Sequence, residues 1–380
     1  MKTIFSIALG GIGVLCASPL TAQTQLSTGT LNPTTSVQHG TYSMKDGFEL
    51  TTTSYRSGPE TIFNNPGPSS YFVTMPAGEE WVDEGAFPQR GLDATEQVNG
   101  FDFSYCSLLA DPVGNAVTVT VNLYMDTVQG VGPSTWPTAE CSYQLAGLPG
   151  DTSLGGISCW AVAIDLEGGF ECTLPQEAIP GGNSTFFGIG WQYSDAGASG
   201  LSGPFLSGMG YGSQDYIEVF DAGGYVGNFG FGGGPNAQAN FPVVLYGNGI
   251  LDTSVVNAEV PDSGDILVLS SDQEFRTGTQ VTWSLRGAAT PGVAYAMVVG
   301  SDGSSAGFGA LAGLGTTLLV NPGSILTPPT PLGMSGINPS VQTPALPGLP
   351  PTIYAQAFGF SGGVGIGNAT EASNALRHLN

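Results

Sequence analysis

Apolar and polar residues alternate in several short stretches of this chain. Phe101, Phe103 and Tyr105, for example, are separated by Asp102 and Ser104. A period of two places one row of side chains in a core and the other towards water, as in half-buried β-strands. No long stretch shows the 3.6-residue apolar period of a helix. The clearest alternating runs cover residues 101–105, 117–125, 187–193 and 281–285.

Glycine and proline strengthen this prediction, because the chain contains 59 Gly and 27 Pro, and both residues favour turns over helix interiors. We therefore expect an all-β fold: a jelly-roll-like β-sandwich followed by a smaller Greek-key-like β-sandwich domain. The glycines and polar residues that follow the apolar strand at 241–246 suggest the boundary. The expected segments are a signal peptide at 1–22, the first domain at 23–247, a linker at 248–261 and the C-terminal domain at 262–380.

The N-terminus resembles an export signal. Lys2 precedes an apolar run from Ile4 to Cys16, and Ala22 ends a small-residue stretch suited to cleavage. The run is too short to span a bilayer. We therefore expect a secreted, extracytoplasmic protein with no transmembrane segment in the mature chain.

The charge balance argues against a nucleic-acid partner. Thirty acidic residues stand against seven Lys and Arg, giving a formal charge of −23. Binding to nucleic acid requires clustered Lys and Arg, so we expect no nucleic-acid partner. The acids concentrate in the first domain, and no charged residue occurs between Asp302 and Glu371.

Four cysteines remain after the signal is removed, and an even number in an exported chain predicts two disulfides. We read 160–172 as a hairpin that turns at Gly168-Gly169, which places Cys172 far from Cys159 along the paired strand. The turn at 147–150 would bring Cys141 to Cys159. The predicted pairs are therefore Cys141–Cys159 and Cys106–Cys172.

Three short motifs in the tail carry a resemblance. Leu346-Pro347-Gly348-Leu349-Pro350 is followed by Tyr354-Ala355-Gln356, and the chain closes on Ser373-Asn374-Ala375-Leu376. This order resembles the C-terminal domain of secreted planctomycete-type two-domain β-sandwich proteins, a family of uncharacterised function. The resemblance implies an exported, β-rich protein and supplies no catalytic residue. From the residues themselves, we expect Asn374 to bond to its own backbone in a turn.

Histidine-dependent catalysis has little support. Gly303–Gly307 fits the G-x-S-x-G string, but that motif requires a strand-turn-helix context and a nearby base. The only imidazoles are His39 and His378. Glycoside hydrolysis requires two carboxylates and no histidine, and Asp165, Glu171 and Glu218 are candidate acids on strands.

Sugar binding and calcium binding each have candidate residues. Exposed aromatic rings provide platforms for sugars, while carboxylates are preferred ligands of calcium. The aromatic candidates lie in Gly-, Pro- or acid-rich stretches, and the metal candidates form one acidic run. They are Trp81, Trp136, Tyr211 and Tyr225 for a sugar, and Glu79, Glu80, Asp83 and Glu84 for a structural Ca²⁺.

These observations favour an exported protein without catalytic activity. It would act by extracellular binding, with a polysaccharide or a cell-surface component as partner, or as a structural component of the cell surface. No cofactor is required for that role. The alternative is a carbohydrate-active enzyme, a glycosidase or a lyase, that uses paired carboxylates.

Overall fold

In its described residues, the computed structural model of the protein is built mainly from β-strands, which confirms the predicted all-β class. The signal segment lies outside the described residues. The structure describes residues 30–52, 60–65, 71–85, 87–88, 90, 95–127, 138–153, 155–175, 186–195, 197, 200–207, 217–231, 239–247, 253–256, 267–286, 292–303, 318–334, 339–361 and 369–380.

The strands are numbered in chain order. They are β1 (Thr30–Pro33), β2 (Val37–Ser43), β3 (Gly47–Thr51), β4 (Glu60–Asn65), β5 (Tyr71–Thr74), β6 (Glu80–Gly85), β7 (Thr95–Ser107), β8 (Val117–Thr127), β9 (Ala139–Leu148), β10 (Ser158–Asp165), β11 (Cys172–Pro175), β12 (Phe186–Asp195), β13 (Ser202–Leu206), β14 (Ile217–Asp221), β15 (Gly224–Phe229), β16 (Val243–Gly247), β17 (Thr253–Val256), β18 (Val268–Ser271), β19 (Val281–Arg286), β20 (Val293–Gly300), β21 (Thr330–Met334), β22 (Ser340–Thr343), β23 (Thr352–Ser361) and β24 (Ala369–Leu379). A short 3₁₀ helix covers Pro322–Ser324.

Two sheets form the N-terminal sandwich. The ten-stranded sheet runs β1-β5-β13-β7-β10-β2-β3; β11 and β16 also pair with β7, and β4 pairs with β16. The six-stranded sheet runs β15-β14-β6-β12-β8-β9. Aromatic residues from both sheets meet in the shared core, where the rings of Phe103 and Trp191 stack with centroids 4.7 Å apart. Each sheet therefore keeps its second face directed away from this core.

The predicted hairpin at Gly168-Gly169 is wrong. Strands β10 and β11 both pair antiparallel with the long strand β7, with Asp165 opposite Gly100 and Cys172 opposite Val98. The chain therefore runs in the same direction before and after the two glycines and leaves the sheet only as a short loop. Both glycines have positive φ, 99° and 109°, a conformation that glycine adopts without steric cost.

The predicted disulfide partners are wrong for the same reason. The observed bonds are Cys106–Cys159 and Cys141–Cys172. Because β10 pairs with β7, Cys159 lies directly opposite Cys106, with their Cα atoms 4.0 Å apart. Because β11 continues in the direction of β10 and does not turn back, Cys172 reaches Cys141 on β9. That second bond links the two sheets of the sandwich.

The C-terminal part forms a second sandwich. A five-stranded sheet, β17-β24-β23-β20-β21, packs on a three-stranded sheet, β18-β19-β22. Strand β17 comes from residues within the stretch 248–261 and pairs with β24. Trp283 and His378 lie in the interior of this sandwich, with ring centroids 5.3 Å apart.

The tail motifs join the strands of this sandwich. Gln356 accepts a hydrogen bond from the Leu319 amide at 2.8 Å and donates one to the Ser373 carbonyl at 3.0 Å. Asn374 makes two bonds with the backbone of Leu269 on β18. The expected turn at Asn374 is therefore wrong, because the residue lies in β24 and connects two sheets.

The described part of the chain contains no helix that is long and apolar enough to cross a membrane. The two disulfides are compatible with folding outside a reducing cytoplasm.

Candidate functional site

Strand β6 sends alternate side chains to opposite faces of the six-stranded sheet. Trp81 points into the core of the sandwich, where its ring lies 5.3 Å from that of Phe229. Its indole nitrogen donates to Glu79 at 3.0 Å. Trp81 is fully buried, so the prediction that it forms an exposed sugar platform is wrong. The alternation of the strand, and not the polarity of its neighbours, sets its position.

Glu80, Val82 and Glu84 point to the other face of β6, away from the core. Neighbouring strands add further polar and aromatic residues to this side of the sheet, which we call the carboxylate face; apart from the exposed Tyr225, its side chains are buried. Register defines its members, since residues opposite each other on paired strands point to the same side. They include Glu80, Val82 and Glu84 of β6, Asn122 and Tyr124 of β8, Glu218 and Phe220 of β14, and Tyr225 and Asn228 of β15.

Glu80 is held in one orientation by two side chains from β8. Its Oε1 accepts hydrogen bonds from the Tyr124 hydroxyl at 2.5 Å and from the Asn122 amide at 2.9 Å. Strand β12 lies between these strands, and Gly190 leaves room for the glutamate to pass over it: a Cβ there would stand 1.9 Å from Glu80 Oε1. Burial raises the pKa of Glu80, and the two hydrogen bonds oppose that rise.

Glu84 and Glu218 form the central pair of the carboxylate face. On β14, Glu218 lies opposite Val82, so Glu84 is its diagonal neighbour two residues along β6. Both side chains are buried, with 2% and 3% of their surface exposed. Among the described residues, neither Glu84 Oε2 nor Glu218 Oε1 has a hydrogen-bond partner.

Burial and mutual repulsion keep protons on this pair. Burial raises the pKa of Glu84 well above its usual value, and the negative charges of Glu218 and Asp83 raise it further. Burial also raises the pKa of Glu218, to about 7. Two interacting carboxyl groups of this kind lose their protons in separate steps, which belong to the pair as a whole. Near neutral pH the pair therefore holds both a proton donor and an ionised carboxylate.

The predicted calcium ligands point in different directions. Asp83 faces the opposite side of β6 from Glu80 and Glu84, and its carboxylate accepts a hydrogen bond from the Phe241 amide at 2.9 Å. Glu79 precedes the strand and bonds to Trp81. No three His, Cys, Asp or Glu side chains gather as a metal site among the residues that the structure describes. A calcium site at these four residues stays a prediction.

Of the remaining aromatic candidates for sugar binding, Tyr225 lies within the described residues. Trp136 and Tyr211 lie outside the described residues. Tyr225 keeps 40% of its surface exposed. It lies opposite Phe220 on the carboxylate face, with the two rings 5.7 Å apart in an edge-to-face contact. It is therefore the one predicted platform residue that the structure shows at this surface.

Two of the candidate acids serve turns of the backbone. Glu171 accepts hydrogen bonds from the amides of Gly168 and Gly169, both at 2.9 Å, and Asp165 accepts one from Glu167 at 2.8 Å. Glu218 is the only one of the three that faces another buried carboxyl group within the described residues. Sequence reasoning named Glu84 and Glu218 separately, as a metal ligand and an acid, and missed that they are neighbours.

Of the two imidazoles of the chain, that of His378 lies inside the C-terminal sandwich. His378 is buried, and its Nδ1 accepts a hydrogen bond from the Phe275 amide at 3.2 Å. Burial, with the nearby positive charge of Arg90, lowers the pKa of His378 to about 3, so it stays neutral. The serine residues of the G-x-S-x-G string lie outside the described residues.

Comparison with known proteins adds no constraint. No protein-family model matches the chain, and a search of curated proteins found no significant match.

Proposed function

We propose that this protein hydrolyses glycosidic bonds of an uncharged polysaccharide, with Glu84 and Glu218 as the reacting carboxyl groups. One observation carries the proposal. Two buried carboxyl groups stand on adjacent strands of one sheet face, and each has an oxygen without a hydrogen-bond partner among the described residues. Burial of such a pair costs free energy, and strained arrangements of this type concentrate at functional sites.

The chemistry requires one protonated and one ionised carboxyl group. The protonated group donates its proton to the glycosidic oxygen as the C–O bond breaks. The ionised group either attacks the anomeric carbon or removes a proton from the attacking water, and one water is consumed overall. Burial and the charges of Glu218 and Asp83 raise the pKa of Glu84 well above its usual value, so Glu84 keeps its proton and suits the donor role. Glu218, with a pKa raised to about 7, loses its proton near neutral pH and supplies the ionised group.

The charge of the face indicates the kind of substrate. Glu80, Glu84 and Glu218 bring three carboxyl groups to one surface, and the described members of the carboxylate face include no lysine or arginine. A uronate or sulfated chain would be repelled, since like charges in a poorly solvated site interact strongly. A neutral polysaccharide meets no such repulsion.

A second candidate is carbohydrate binding without cleavage. The exposed ring of Tyr225 at the edge of the same face favours it, because aromatic rings stack on sugars with little loss of conformational entropy. In that case the buried carboxyl groups would act only as hydrogen-bonding partners.

Measurement of reducing ends released from a panel of neutral and acidic polysaccharides tests the first proposal. The wild type should cleave at least one neutral polysaccharide. Glu84→Gln and Glu218→Gln should each lower the rate by about 10² to 10⁴-fold. Glu140→Gln is the matched control, since it removes an exposed carboxyl group on β9 of the same sheet.

The two candidates differ in what they predict for retention on insoluble polysaccharide. Retention without release of sugars, unchanged in both glutamine variants and lost in Tyr225→Ala, would establish binding without cleavage. Absence of both retention and cleavage across the panel would contradict both candidates.

A further inference from the structure

The ten-stranded sheet carries a groove on its outward face, on the opposite side of the N-terminal sandwich from the carboxylate face. The groove has a volume of about 260 Å³. This is close to the lower end of the size range of small-molecule sites, about 300 Å³. Its lining contains His39, Asp102, Ser104, Ala161 and Ala163, together with Val244 of β16 and Pro242 just before that strand.

Small residues on the central strand create this groove. Strand β10 lies between β2 and β7, and its outward positions there are Ala161 and Ala163. Across the three strands, Ala161 lies between His39 on β2 and Ser104 on β7. Two residues further along β10, Ala163 lies beside Asp102 on β7. The methyl side chains form a floor, and the larger side chains on both neighbouring strands form walls.

The wall formed by β7 carries the charge of the groove. Asp102 accepts a hydrogen bond from the Tyr246 hydroxyl at 2.6 Å. This contact holds the carboxylate in one orientation at the wall of the groove. Beyond Asp102, Pro242 and Val244 add apolar surface. The described lining includes no lysine or arginine.

We infer that this groove binds a small primary amine with a short apolar body. The ammonium group would pair with Asp102 and donate to Ser104, while the alkyl part would lie on Ala161 and Ala163. Charge complementarity supports this choice, because a single oriented carboxylate above an apolar floor attracts a cation and repels an anion. The site does not depend on the carboxylate face or on hydrolysis.

Calorimetric titration of the full chain with n-butylamine tests the inference, with n-butanol and butyrate as probes that share the alkyl body. Butylamine should bind, and each of the other two should bind at least about tenfold more weakly. Asp102→Asn should weaken butylamine by about tenfold or more. Ala161→Leu should abolish binding of butylamine, because the larger side chain fills the floor of the groove. Since position 161 faces outward, the melting temperature of this variant should stay close to that of the wild type.

Two control variants separate these effects from general changes of the surface. Glu140→Gln removes a charge elsewhere, and Ser142→Leu adds apolar bulk at an exposed position of β9; both should bind butylamine like the wild type. Equal binding of butanol and butylamine would overturn the inference. So would unchanged binding in Asp102→Asn and Ala161→Leu, or no binding of butylamine up to about 10 mM.

Discussion

Replacement of Glu218 by glutamine should stabilise the protein at neutral and alkaline pH. In the folded chain burial raises the pKa of Glu218 from 4.5 to about 7. Each unit of pKa corresponds to about 1.4 kcal/mol, so ionisation of this group in the folded state costs about 3 kcal/mol. Glutamine has almost the same shape and never ionises, and it avoids that cost.

The direction of the pH dependence follows from linkage. Because the folded state holds the proton more tightly than the unfolded state, stability is fully present below about pH 4.5 and is lost as the pH rises through about 7. The difference in unfolding free energy between Glu218→Gln and the wild type should therefore be near zero at low pH. It should grow to about 3 kcal/mol at pH 8, or roughly 6–12 °C in melting temperature for a domain of this size.

Urea unfolding followed by tryptophan fluorescence between about pH 4.5 and 8.5 measures this difference. Glu140→Gln provides the control, since it removes a carboxyl group that is exposed on β9. A difference between Glu218→Gln and the wild type that stays constant across this range would refute the reasoning. It would mean that the Glu218 carboxyl group is exposed to water in solution, and that Glu84 and Glu218 do not form a buried pair.

Three further outcomes are expected. Gly190→Ala should displace Glu80, because a Cβ at position 190 would stand 1.9 Å from Glu80 Oε1. The variant should lose polysaccharide cleavage and keep its fold, as checked by circular dichroism. Unchanged cleavage would contradict this expectation. Cys141→Ala with Cys172→Ala should lower the unfolding free energy by about 3–4 kcal/mol, as expected for a bond that closes a loop of 31 residues. Peptide mapping of the unreduced wild type should recover this pair, and recovery of the alternative pairing would contradict the structure. Asp151→Asn should cost about 1–3 kcal/mol in urea unfolding near neutral pH. Burial acts to raise the pKa of Asp151, but the hydrogen bonds to its carboxylate outweigh that effect and lower the pKa. Their contribution is present above about pH 4 and fades as the pH falls, so a cost that persists undiminished at pH 2 would contradict the assignment.

Much of the local structure follows from the sequence. Alternation at 117–125 predicts a half-buried strand, and the structure has β8 there, with its valines in the core. The even number of cysteines predicts two disulfides, and both are present. These features depend on residues a few positions apart, so a period of two or a simple count is enough to find them.

Alternation could also have corrected one expectation. Within β6, Trp81 and Asp83 must share one face, while Glu80 and Glu84 share the other. The acidic neighbours of Trp81 suggested an exposed ring, but the strand period outweighs local polarity, because the side chains of consecutive residues leave the sheet on opposite sides.

Strand neighbours were decided by the tertiary structure alone. A double glycine is compatible with a hairpin and equally with a loop between two strands that continue in one direction. The partner strand β7 selects the second arrangement because it is long enough to pair with β10 and β11 in succession. The disulfide partners then follow from that choice.

By itself the sequence determined the fold class, the number of disulfides and which side chains of a strand share a face, because these depend on short-range periodicity and composition. Only the tertiary structure decided that Glu84 meets Glu218 and that Ala161 lies between His39 and Ser104. Such contacts join residues far apart in the chain, and their register is fixed by packing of the whole core. Both candidate sites of this protein arise from that long-range register.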